Sequence, residues 1–128
     1  MNCSCDVSPV AFSVPEPLRV YAPEEADTAA ICPRCLAVES TDSGPEAVNF
    51  SRVSEAFPDG DGGVAMALTL GLLDSLAHNR TAIEETLSFT ERAGADPLLV
   101  VDRLVADPSV VPAIDLDRRR DKLESLLY

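Results

Sequence analysis

The chain has 128 residues, 46% of them hydrophobic, and sets 22 acidic side chains against 10 basic ones for a net charge of −12. That length and apolar content suit one ordinary core, or a small stapled unit beside a modest one, and exclude a chain that is disordered throughout. The charge disfavours simple electrostatic attraction to nucleic acid or anionic lipid.

From the N-terminus, Val10 to Val14 alternates as a half-buried strand does, and Pro15 and Pro17 then break it. Leu18 to Tyr21 predicts a helical turn ahead of Pro23. Thr28 to Ile31 reads as a second short strand running into Cys32, and Leu36 to Glu39 as a third leaving Cys35. The polar stretch 40–45 reads as a linker. Beyond it a short helix is expected over 50–57, ended by Pro58. A Gly- and Asp-rich loop follows, with Asp61 as the expected N-cap of the next helix. The run 64–77 carries Asp74 as its sole charge and is apolar on every side, so it should form the buried centre of the core. Thr81 and Glu84 have capping-box spacing, with Gly94 as the stop of that helix. Asp96-Pro97 opens a further helix to about Ala106, and Leu116, Leu123, Leu126 and Leu127 give an amphipathic C-terminal one. The fold class expected is α+β: a zinc-ribbon-like domain at 1–45 and a mostly helical domain at 46–128.

All four cysteines, Cys3, Cys5, Cys32 and Cys35, lie in the first 35 residues, in two close pairs. Two such pairs on facing hairpins supply the four soft ligands of a tetrahedral site, so they are the expected metal ligands, for one structural Zn²⁺. The pair Cys32-Pro33-Arg34-Cys35 makes a good knuckle, whose short turn can aim backbone N–H groups at the thiolates. The pair Cys3-Ser4-Cys5 is tighter, and the spacer between the pairs is longer than usual. Two disulfides or a redox Cys-x-x-Cys are the competing readings. The first needs an oxidising compartment and the second a thioredoxin-like βαβ setting, neither of which the sequence suggests.

Nine of the ten basic residues are Arg, the other being Lys122, and aromatic residues are few. An acid-rich, lysine-poor surface suits a cytoplasm of molar salt, where the screening length falls to about 3 Å. A high-GC genome also exchanges Lys for Arg. The paired cysteines, the segment 14–23, Cys32-Pro33-Arg34-Cys35-Leu36, Ala56-Phe57-Pro58, the stretch 71–76 and Asp96-Pro97-Leu98-Leu99 together resemble a haloarchaeal family, a domain of unknown function with an N-terminal CPxCG-like zinc finger. The resemblance covers essentially the whole chain. It implies zinc and a source and no reaction, and Cys3-Ser4-Cys5-Asp6 departs from the CPxCG form by one residue and the glycine.

Other residues carry less information. His78 is the sole histidine and is weighed as a ligand or general base against a helix-end residue. Arg118, Arg119, Arg120 and Lys122 form a basic cluster that either meets an acidic partner or pairs with Asp117, Asp121 and Glu124 on its own helix. No nucleotide-binding or nucleophile motif is present. No segment reads as a signal peptide or a membrane span, so the expected location is cytoplasmic. The expected function is that of a non-enzymatic, zinc-stabilised adaptor that binds another protein. The alternatives are a nucleic-acid-binding zinc ribbon using Arg19, Arg34 and the Arg118 cluster, and a small enzyme using Asp and His78.

Overall fold

The computed structural model describes Cys5, residues 7–42 and residues 48–127; residues 43–45 of the expected linker lie outside them, as does Cys3. It is a mixed fold, a small antiparallel sheet packed against four α-helices. The strands are β1 (Val10–Ser13), β2 (Thr28–Ile31) and β3 (Val38–Ser40), in the order β1-β2-β3. Val10 stands opposite Ile31 and Phe12 opposite Ala29, while Ile31 also faces Val38. The alternation buries Val10 and Phe12 on one face and turns Ser13 outward. The connection from β1 to β2 is irregular because Pro15, Pro17 and Pro23 remove donors that a helix or strand would need. It folds as 3-10 turns at Glu16–Tyr21 and Pro23–Glu25, with Leu18 buried beneath.

Helix α1 (Gly60–Leu72) is buried continuously from Gly62 to Leu70, as the all-round apolar sequence requires. Against it packs α2 (Arg80–Arg92), while α3 (Pro97–Ala106) and α4 (Leu116–Leu127) pack on each other and on α2. Helix α2 turns Ile83, Thr86, Leu87 and Thr90 inward. Its buried hydroxyls are satisfied: Thr69 on α1 lies 2.8 Å from both the Ala65 carbonyl and the Thr86 hydroxyl, and Thr90 donates to the Thr86 carbonyl. One hydrophobic cluster joins Val10, Phe12 and Ile31 of the sheet to Val64, Leu68, Ile83, Leu104 and Leu123 of the helices. Phe12 meets Phe50 in a tilted contact and Phe50 stacks on Phe57, with centroids 5.5 and 5.3 Å apart, which ties the sheet to the segment before α1. The regions on either side of position 45 therefore share one apolar interior.

Four helix starts and ends differ from expectation. The segment 50–57 forms only a 3-10 turn, Phe50–Arg52, because the Ser54 hydroxyl accepts the Ala56 N–H and Pro58 follows. Helix α1 begins at Gly60 and not after Asp61, so Asp61 sits in the first turn, where its charge favours the helix dipole. The run 64–77 is not one helix, since α1 stops at Leu72 and a 3-10 turn, Leu73–Ser75, follows. Helix α2 begins at Arg80, which places Thr81 inside it and leaves no capping box. Asn79 precedes it and spends its side chain on the Leu72 carbonyl, 3.0 Å away. Asp96 caps α3 as the sequence predicts, accepting the Leu98 and Leu99 N–H groups at 3.1 and 3.2 Å. No helix among the described residues is long and apolar enough to cross a membrane.

Candidate metal centre

Strand β2 delivers Cys32 at its end, and the loop to β3 carries Cys35. The loop closes like a tight hairpin: the Cys32 N–H donates to the Ala37 carbonyl and the Leu36 N–H to the Cys32 carbonyl, each at 2.9 Å. This geometry requires Leu36 to turn back with φ 66°, in the left-handed region that glycine favours. Leu36 is held there by its side chain, which is 6% exposed and part of the core cluster. The turn also places two amides against one sulfur. The N–H groups of Arg34 and Cys35 lie 3.4 and 3.5 Å from Cys32 Sγ. Amides aimed at a buried sulfur favour its thiolate, the form that binds metal.

The sulfur atoms of Cys5, Cys32 and Cys35 all lie within 4.8 Å of one another. Tetrahedral ligands at the zinc–sulfur bond length of about 2.3 Å sit about 3.8 Å apart, so one ion can reach all three sulfurs with small adjustment. Of the expected ligands the structure thus brings together Cys5, Cys32 and Cys35; Cys3 falls outside the described residues. A disulfide uses two sulfurs, whereas here three converge. The Cys32–Cys35 pair lies in a strand-to-strand loop, away from the helix N-terminus that lowers the thiol pKa of redox pairs. The donor set therefore fits a metal better than redox chemistry.

The knuckle has a second neighbour that the sequence reading missed. The segment joining α3 to α4, residues 107–115, runs as a strap across its outer side. The Val111 N–H donates to the Arg34 carbonyl at 2.7 Å and the Ala113 N–H to the Cys35 carbonyl at 3.4 Å. The strap starts in a turn held by Asp107, whose carboxylate accepts from the Ser109 hydroxyl and N–H and is kept below its ordinary pKa by them. The signal available in the sequence was weak: Val111 precedes Pro112, which favours extended backbone with an outward N–H.

His78 is exposed in the turn before α2. Two of the four residues of the basic cluster, Arg119 and Arg120, are engaged with the chain itself. Arg120 pairs with Asp102 at 2.8 Å and with Glu124, and its pKa is raised mainly by the Asp102 hydrogen bond. Arg119 donates to the Leu73 carbonyl at 3.0 Å, capping the turn that ends α1. Arg19 likewise donates to the Val14 carbonyl. Comparison with curated proteins and with solved structures gave no match. The family model described as "Family of unknown function (DUF6276)" matches residues 2–127, nearly the whole sequence, and the chain belongs to that family.

Proposed function

We propose that the protein is a small, non-enzymatic zinc protein in which Cys3, Cys5, Cys32 and Cys35 hold one structural Zn²⁺, and that it acts as an adaptor for another protein. The observation that carries the metal reading is the convergence of three thiols, with two backbone N–H groups aimed at the most buried of them. Thiolate ligands select zinc among the abundant divalent ions, and four of them leave no position open for a catalytic water. A ribbon-like staple of this kind holds a short sheet that has little apolar mass of its own.

A protein partner is favoured over nucleic acid by the engagement of Arg19, Arg119 and Arg120 with the chain itself, under a net charge of −12. The surface at the knuckle suits such a partner. Val111 is 55% exposed and its backbone is bonded to that of exposed Arg34, with Pro33 and Pro112 half-buried beside them.

The test has two arms. Protein purified without added metal should carry about one zinc per chain, and Co²⁺ substitution should give thiolate charge-transfer absorption. Cys32→Ser and Cys35→Ser should lose more affinity than Cys5→Ser, whose pair is the tighter chelate. Metal-free protein would overturn the zinc reading. Tagged protein expressed in its host is then captured in high salt with and without nuclease. A protein partner that survives nuclease and is lost with Val111→Asp supports the adaptor; recovery of nucleic acid as the bound species contradicts it.

A further inference from the structure

We infer that the peptide bonds after Arg34 and Cys35 form a relay that couples the metal centre to the strap 107–115 and, through it, to the docking of α4. The inference rests on the metal reading above and adds what the metal would control.

Two successive peptide units bridge the same two features. The unit between Arg34 and Cys35 points its N–H at Cys32 Sγ, 3.5 Å away, and its carbonyl at the Val111 N–H, 2.7 Å away. The next unit, between Cys35 and Leu36, points its N–H at the Cys32 carbonyl and its carbonyl at the Ala113 N–H. A peptide unit is planar, so fixing its N–H fixes its carbonyl on the opposite side. Hydrogen bonds in series also polarise one another, so a thiolate accepting at one end strengthens the carbonyl as an acceptor at the other. A metal-bound Cys32 therefore presents two oriented acceptors to the strap, of which the Arg34 carbonyl is the one strengthened through the sulfur.

The strap has little else to hold it in place. Val110 is its one buried residue and Ile114 packs partly against the core, while Val111 is exposed. Its far end leads directly into Leu116, the first residue of α4, which lines a small cavity together with Cys35, Leu36 and Gly71. Displacing the strap would pull Leu116 from that contact and loosen the first turn of α4. The state of the cysteines is thus transmitted about as far as the C-terminal helix by backbone geometry, with no side-chain signal required.

Hydrogen exchange of the full chain at constant high salt, with metal content measured on the same samples, tests this. In metal-loaded protein the Val111 and Ala113 amides should be protected. Chelation should speed their exchange, and that of the first turn of α4, about tenfold or more, while amides in the middle of α1 change less. Val111→Pro removes the shorter of the strap's two bonds to the knuckle and should bind metal with the same stoichiometry. In it, the response of α4 exchange to chelation should be reduced severalfold. If that variant fails to fold, the wild-type comparison of strap and α1 amides decides alone. Loaded protein whose strap exchanges at the same rate after chelation would overturn the relay and leave the zinc reading intact. Protein that binds no metal would overturn both.

Discussion

Leu36 offers a test in which the usual order of two substitutions should reverse. Its φ of 66° places a Cβ against the following carbonyl, which costs an ordinary residue about 1–2 kcal/mol. Its side chain is buried in the common core, so truncation to Ala should lose about 2–5 kcal/mol in transfer and cavity terms while keeping the strain. Truncation to Gly loses slightly more side chain but releases the strain, against about 0.4–1 kcal/mol of added freedom in the unfolded chain. Leu36→Gly is therefore expected to be less destabilising than Leu36→Ala by about 0.5–1 kcal/mol. Urea unfolding of the two metal-loaded variants at one salt concentration measures the difference from midpoints at common slope. A Gly variant clearly weaker than the Ala variant would refute a left-handed knuckle at this position.

Three further outcomes follow from the packing and the charge. Gly63→Ala would drive a Cβ into the Pro58 carbonyl and to 2.6 Å from the Phe50 ring, so it should cost about 3 kcal/mol or more, whereas Gly60→Ala meets open space and should cost about 1 kcal/mol from its positive φ alone; thermal melts of both variants distinguish them. Asp96→Ala removes the acceptor of two α3 N–H groups and should cost about 1 kcal/mol, largely restored by Asn, as read by urea titration. With 22 acidic residues against 10 basic, the melting temperature should rise steadily from dilute buffer, where the screening length is about 30 Å, to molar KCl, and a flat profile would contradict the composition-based expectation of salt dependence.

Much of the secondary structure was legible because it depends on local rules. The alternation at Val10–Ser13, the apolar stretch Thr28–Ile31 and the Asp96-Pro97 start each specify a conformation within a few residues. The third strand begins at Val38, two residues later than its apolar pattern suggests, because Leu36 turns left-handed and Ala37 closes the knuckle. The capping box at Thr81 failed for a tertiary reason, since the chain leaving α1 requires Asn79 to bond back to Leu72 and so sets the helix start at Arg80. The cysteine pairing pointed to the site, and the knuckle carries the N–H···S contacts its spacing implies. The strap did not announce itself, because its bonds to Arg34 and Cys35 run between backbone atoms about eighty residues apart, where side-chain identity carries little signal. The extent to which sheet and helices share a core was equally invisible: Pro-rich, Cys-bearing sequence reads as a separate module, while Phe12, Ile31 and Leu36 are packed among helix residues.

That shared interior gives the most direct test of a metal centre acting as the staple of the sheet on which the helical core packs. Far-UV circular dichroism is followed on heating in molar KCl, with and without a strong chelator, and zinc is quantified in each sample. A metal ion stapling one common core predicts a single transition whose midpoint falls by several degrees or more when the metal is removed, with the helical signal lost in the same step. An unchanged helical transition after complete removal of bound zinc would contradict it.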